Sequence, residues 1–156
     1  MIAVCLARYL PRADVSAVDI SPDALQLARE NARLNGVEER ITFFESNWFD
    51  RVTGRFDLIV SNPPYVASEE LEKLPAEIRL HEPRVALDGG REGLERIEGL
   101  IDDVADRLLP GGALLLEVGF GQAECVSARL RDAGIGQVVV ETDVAGVERF
   151  VITRCP

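Results

Sequence analysis

The sequence predicts an α/β protein built on a mostly parallel sheet that closes with an antiparallel hairpin at its C-terminal end. Three observations carry that expectation. Short apolar runs of strand length alternate with stretches of helical period, as where VSAVDI (15–20) runs into the segment opened by Ser21-Pro22. Such alternation implies parallel strands joined by right-handed crossovers. Near the end, two strand-like runs (137–142 and 149–153) flank a tight Ala145-Gly146 connection, which reads as a hairpin with one antiparallel strand at a sheet edge.

Each element has its own local reason. Residues 2–10, IAVCLARYL, read as the end of a mostly buried helix, stopped by Pro11. VSAVDI is a strand. Ser21 is a strong N-cap, with Pro22 at the first helical position and Asp23 in the first turn. Ala24, Leu25, Leu27, Ala28, Ala32 and Leu34 then supply a helical apolar face, closed by Asn35-Gly36. Residues 41–45 form the next strand, followed by a loop through Ser46-Asn47-Trp48-Phe49-Asp50 and a turn at Gly54. FDLIVS (56–61) reads as a strand buried on both faces of a parallel sheet. From 66 to 93 the chain is polar and rich in Glu, Pro and Gly, too long for a plain connection and suited to a lid or binding loop. A helix over 94–109 ended by Pro110-Gly111-Gly112, a buried strand over 113–118 and a helix over 122–133 precede the hairpin.

Length and composition favour one soluble domain, 1–156. Apolar runs such as 113–116 are far too short to span a membrane, and the N-terminal stretch lacks the form of a signal peptide, so the cytoplasm is the expected location and no membrane partner is expected. Cys5, Cys125 and Cys155 are odd in number and widely spaced, which argues against zinc and a disulfide framework and for buried or incidental thiols. A formal charge of −10 makes nucleic acid an unlikely direct substrate, because phosphate affinity rests on clustered Lys and Arg.

The chemistry concentrates where FDLIVS runs into Asn62-Pro63-Pro64-Tyr65. Two prolines remove two backbone donors and set two φ angles, and Asn62 before a proline is pushed to an extended conformation. The product is a stiff corner at the carboxyl end of a strand, where open α/β sheets place ligands. An Asn oxygen and a proline carbonyl outside any ladder can both accept from one NH₂ group, and Tyr65 can stack on the planar group that carries it. An ordinary Asn-Pro turn is the plain alternative; Tyr65 and the apolar strand before it favour the gripping role.

Asp19, at the end of the first strand, either bonds a ribose hydroxyl pair or caps the turn with Ser21. Trp48 either flanks an adenine ring or fills the core. His81, the only histidine, falls in the lid and reads as surface or structural. Asp88-Gly89-Gly90 looks like a phosphate-type turn without a following Lys, and a flexible hinge is the better reading.

Taken together, VDISPDAL, ESNWFD, FDLIVSNPPYV, EPRVALDGGREGLE, LPGGALLLEVGFGQ and DVAGVERFV resemble a known family across essentially the whole chain. They are similar to the class I, Rossmann-like methyltransferases that use S-adenosyl-L-methionine, and specifically to the catalytic domain of the glutamine-amide methyltransferases of peptide-chain release factors (the HemK/PrmC family). NPPY alone is shared with adenine and cytosine amino-methyltransferases; NPPY with EPRVALDGG and LLLEVGFGQ is more particular. The resemblance implies that Asp19 holds the ribose and Trp48 lies against the adenine. It implies that Asn62, Pro63, Pro64 and Tyr65 grip the target amide, with Asn62 also near the cofactor. A release factor is the implied protein partner.

The resemblance also implies a glycine-rich loop after a central strand ahead of the first helix, and an N-terminal helical domain that helps recognise the protein substrate. Neither is in the sequence. Without that strand, VSAVDI and FDLIVS would leave a gap of roughly 10 Å and two bare edges. The expectation is direct pairing of the two strands, filling by another chain, or poor order there. Two other functions compete with release-factor methylation: amino-methylation of a nucleic-acid base, and a truncated domain that binds little cofactor.

Overall fold

The computed structural model describes residues 1–156 and resolves into two compact units, Met1–Gly54 and Arg55–Pro156.

In the first unit, helix α1 (Ile2–Tyr9) and helix α2 (Pro22–Leu34) cover a parallel pair of strands, β1 (Val15–Asp19) and β2 (Ile41–Glu45). The register sets Val15 opposite Ile41 and Asp19 opposite Glu45, so both strands end at the same level. α2 starts where the sequence requires: the Ser21 hydroxyl accepts from the Ala24 amide at 3.2 Å with Pro22 at the first helical position. Gly36, at φ 68°, closes it. Val4, Ala7, Val15, Ala32, Val37 and Ile41 form the core. Burial is shallower than the apolar periodicity suggests. α1 buries only Val4 and Ala7, α2 only Leu25 and Ala32, while Leu27 and Leu34 face solvent. Apolar period marks a face, and a two-stranded sheet has too little area to cover a whole one. The turn after α1 is held instead by Arg40, whose guanidinium donates to the carbonyls of Ala7, Leu10 and Ala13.

The second unit is a mixed four-stranded sheet in the order β3 (Phe56–Ser61), β4 (Leu108–Glu117), β6 (Glu148–Arg154), β5 (Gln137–Thr142). β3 and β4 are parallel; β6 runs antiparallel to both β4 and β5. The hairpin therefore forms as expected, but its antiparallel strand lies inside the sheet and β5 takes the edge. Helix α6 (Ala123–Asp132) packs on β5 and β6, and helix α5 (Glu95–Val104) packs on α6. Ile97, Leu100, Ile101 and Val104 of α5, Leu114 and Leu116 of β4, Val126 and Leu130 of α6 and Val151 of β6 are all buried in this unit.

Two expectations are corrected here. Pro110-Gly111-Gly112 does not end a helix. The helix stops near Val104, and β4 already begins at Leu108, carrying the three residues in an irregular stretch where the register with β3 slips. A proline inside a strand is tolerated at such a break, and Gly112 lies so near the Phe56 carbonyl that a β-carbon there would come within 2.9 Å. Second, β3 is not buried on both faces. It is the terminal strand of its sheet, and Leu58 is 41 % exposed. β1, too, has a neighbour on one side only, and Val18 is 38 % exposed. β1 and β3 belong to separate sheets.

Residues 66–93, expected as a lid, fold into short pieces: a 3-10 turn (Ser68–Lys73), helix α3 (Ala76–His81), helix α4 (Arg84–Leu87) and a second 3-10 turn (Arg91–Gly93). A parallel bridge between Val66 and Asp88 ties the two ends of the segment together.

Candidate functional site

At the carboxyl ends of β1 and β2 the first unit has a recess of about 210 Å³ lined by Ile20, Glu45, Ser46, Asn47, Asp50 and Arg51. It lies where the parallel register ends, at Asp19 and Glu45. The Ser46 amide donates to the Asp19 carbonyl at 3.0 Å, and the Ser46 hydroxyl accepts from the Arg51 amide at 2.9 Å, which closes the loop into a tight turn. Asp19 is exposed and, though next to Ile20, is not among the residues that line the recess; one carboxylate oxygen accepts from the Ser21 amide at 2.9 Å. The capping role is thus real, and it orients the carboxylate without exhausting its acceptor sites. Trp48 is half-buried and sits in the left-handed region at φ 46°, an uncommon conformation for a bulky residue. It does not line the recess.

The volume tests the fit of a nucleoside cofactor. Pockets for drug-sized ligands span roughly 300–1,000 Å³. The recess is smaller, so the first unit by itself offers room for one part of such a cofactor, with hydroxyl, amide and carboxylate groups suited to a ribose or a base edge.

The second unit holds the corner. β3 ends at Ser61; Asn62 is exposed, Pro63 buried, and Pro64 and Tyr65 half-buried. The strand-then-corner reading therefore holds locally, and the Asn62 amide stays accessible to a ligand. Asp19 and Trp48 belong to the first unit, Asn62, Pro63, Pro64 and Tyr65 to the second.

Behind the corner lies a feature that the motif reading did not single out. The Gln122 side chain donates from Nε2 to the Tyr65 carbonyl at 3.0 Å and accepts at Oε1 from the Gly119 amide at 2.8 Å. Gly89 is no flexible hinge: it is buried, and a β-carbon there would come within 2.8 Å of the Pro64 carbonyl. The signal was present in GFGQ, a polar residue at a strand-to-helix junction, but its partners are distant in sequence. Asp88 is equally fastened. Its carboxylate accepts from the Ser68 hydroxyl at 2.5 Å, from the Gly90 amide at 3.0 Å and from Arg84 at 3.3 Å. The Ser68 hydroxyl first, then the Gly90 amide, hold it below the usual carboxylate range. Its role is to tie the segment, not to cradle a phosphate.

His81 is exposed at the end of α3, which fits the surface reading. The cysteines are free thiols; Cys5 and Cys125 are exposed and Cys155 half-buried, so they are incidental rather than buried. No helix is long and apolar enough to cross a membrane.

Residues 1–91 match the family model described as the methyltransferase small domain. A release factor glutamine methyltransferase from Gloeobacter violaceus is 46% identical over 154 residues, 97% of this chain and 54% of that protein. Another of the same name, from Geobacter sulfurreducens, is 44% identical over 151 residues, 96% of this chain and 52% of that protein. The chain thus spans about half the length of the curated relatives it matches. Among solved structures, a methyltransferase from Pyrococcus furiosus aligns with TM-score 0.72 at 20% identity, covering 99% of this chain and 68% of that one. A ribosomal protein L11 methylase from Lactobacillus delbrueckii subsp. bulgaricus aligns with TM-score 0.69 at 22% identity, covering 99% and 64%. Those likenesses establish the fold as that of class I, Rossmann-like methyltransferases.

Proposed function

The chain belongs to the methyltransferase small-domain family, and we propose that it carries the catalytic residues of an S-adenosyl-L-methionine-dependent enzyme that methylates a glutamine side-chain amide in a peptide-chain release factor. The observation that carries this reading is the Asn62–Tyr65 corner: a rigid strand end with an accessible amide, two prolines and an aromatic ring. The names of the relatives, at 39–46% identity along nearly the whole chain, point to the same substrate.

A glutamine amide is a poor nucleophile, because its nitrogen lone pair is delocalised into the carbonyl. The Asn62 side-chain oxygen and the Pro63 carbonyl accept from the target NH₂, and the Tyr65 ring stacks on the amide plane. Fixing both N–H directions would hold the nitrogen lone pair ready for attack; as the N–C bond formed, the bond from the methyl to sulfur would break, and the charge on nitrogen would be relieved by loss of one N–H proton to water. The cofactor supplies that methyl group on a sulfonium. Asp19, oriented by the Ser21 amide, would hold its ribose hydroxyls, the recess would take one part of it, and Trp48 would offer a flat apolar face.

Two substitutions test the assignment. Asn62→Ala should lower the rate of labelled-methyl transfer to a release factor by roughly 10²–10³-fold, the scale of one lost donor–acceptor contact in a dry site, and lower cofactor affinity much less. Asp19→Ala should weaken cofactor binding by about 1.5–3 kcal/mol in a calorimetric titration, by loss of charge-assisted hydrogen bonds. Near-normal turnover in Asn62→Ala would remove the corner from the mechanism. The acidic charge of −10 counts against a nucleic-acid base as the acceptor.

A further inference from the structure

We propose that Gln122 is a positioning residue for the amide-gripping corner: it does not touch substrate, but it sets where the Tyr65 carbonyl and ring stand. The inference rests on the amide-transfer reading above and adds a residue to it.

Gln122 is the N-cap of α6, directly after the Gly119-Phe120-Gly121 turn that leaves β4. Its backbone amide donates to the Gly119 carbonyl at 3.2 Å while its side-chain oxygen accepts from the Gly119 amide at 2.8 Å. The side chain is therefore locked to its own turn at one end. At the other end Nε2 faces three carbonyls: Tyr65 at 3.0 Å, Glu92 at 3.3 Å and Gly93 at 3.4 Å. One planar amide thus joins the exit of β4, the end of the 66–93 segment and the residue that closes the corner. An amide suits this place, since it alone among uncharged side chains offers one acceptor and two donors in a fixed plane.

The surroundings are shaped around that amide. Gly93 is at φ 72°, and a β-carbon there would overlap the Tyr65 carbonyl oxygen and reach 2.8 Å from the Gln122 nitrogen. A β-carbon on Gly119 would lie 2.7 Å from the Gln122 oxygen and 3.2 Å from Cδ2 of the Tyr65 ring. Glycines on both sides let the amide reach the Tyr65 carbonyl and let the Tyr65 ring lie against the Gly119 backbone. Glu92, between the two arms, takes the left-handed conformation at φ 56°. A non-glycine residue persists there only when its neighbours over-determine it. The Gln122 bond to its carbonyl is one of those constraints.

The Asn62–Pro64 backbone is stiff by its prolines, but Tyr65 is past them and has no such restraint of its own. A shift of about 1 Å at a positioning group can cost roughly 100-fold in rate. The backbone is tied again at Val66, bonded to Leu87 and Gly89, and Gln122 fixes the Tyr65 carbonyl between those two anchors.

The test compares Gln122→Met, which keeps length and apolar volume without the donors, with Gln122→Asn, which keeps the amide but draws it back by one methylene. Two readouts are needed. The nuclear Overhauser contact between the Tyr65 ring and the Gly119 α-protons reports the corner. Methyl transfer to a glutamine-bearing release factor, with kcat and KM separated, reports the reaction. We expect both variants to keep the fold and the affinity for S-adenosyl-L-methionine, to weaken or lose the Tyr65–Gly119 contact, and to lose about 10–100-fold in kcat. An unchanged contact with unchanged kcat overturns the proposal. Unfolding of both variants also overturns it, because Gln122 would then be a stability residue. If the unsubstituted protein shows the contact and both variants lose it, while no protein transfers methyl to the release factor, the clamp stands and the amide-transfer reading falls.

Discussion

Gly93 and Gly146 both adopt a positive φ, 72° and 80°, but they need glycine for different reasons. Gly146 turns the hairpin in open space, where a side chain would meet nothing within 4 Å. Gly93 would place a β-carbon on the Tyr65 carbonyl. Gly146→Ala should therefore cost only the left-handed penalty, about 1–2 kcal/mol. Gly93→Ala adds overpacking of about 1–3 kcal/mol to the same penalty. Chemical denaturation of the two variants checks the order, and equal losses would mean that the turn beside Tyr65 yields. Sequence shows both only as single glycines, after Glu92 and Ala145, and does not give the reason for either; the distinction is made by a carbonyl 28 residues away.

Among the elements, the 66–93 segment departs most from its expected character. It is polar enough to read as a lid, yet its ends are tied by the Val66–Asp88 bridge and by backbone bonds from the Val66 amide to Leu87 at 3.0 Å and from the Gly89 amide to Val66 at 2.8 Å. Asp88 completes the tie as an ionised acceptor. Its carboxyl is held below the ordinary aspartate value of 3.8, chiefly by the Ser68 hydroxyl. A depressed folded-state value means that the contribution is complete above 3.8 and is lost as pH falls through the lower folded value. Ser68→Ala should move the Asp88 titration back up toward the ordinary range, so the segment should loosen at a higher pH than in the unsubstituted protein. A carboxyl-carbon NMR titration reads this directly, and an unmoved Asp88 curve would show that the Gly90 amide and Arg84 set it without Ser68.

The whole molecule is marked by strand edges. β1 is bonded to β2 alone and β3 to β4 alone, so each presents one row of unpaired backbone groups, beside half-exposed Val18 and Leu58. VSAVDI and FDLIVS lie in separate sheets. Unpaired edges are templates for another strand. We propose that a version carrying the glycine-rich strand implied by the family resemblance binds S-adenosyl-L-methionine at least ~100-fold more tightly than these 156 residues, a gain of about 2.7 kcal/mol. Calorimetry on the two chains decides it, and equal affinities would show that such a strand has no part in holding the cofactor.

What could be read from the sequence is what short-range physics controls. Ser21-Pro22 starts α2, Asn35-Gly36 ends it, Asn62-Pro63-Pro64 stiffens the corner, and Ala145-Gly146 turns the hairpin, each because a cap, a fixed φ or a positive φ acts within a few residues. The residues of the candidate corner were legible for the same reason. Burial was not, because it depends on how much sheet lies beneath an apolar face: Leu27, Leu34 and Leu58 all fit their periodic patterns and all are exposed. Strand order inside the second unit was also hidden, since β6 reaches its place beside β4 through hydrogen bonds spanning some 40 residues of chain, such as the Leu114–Thr153 pairing. The buttress of Tyr65 was hidden for the same cause. A single amide at Gln122 and small residues at Gly93 and Gly119 carry no pattern in the chain; they acquire meaning only when folding brings three backbone segments within hydrogen-bond reach of one side chain.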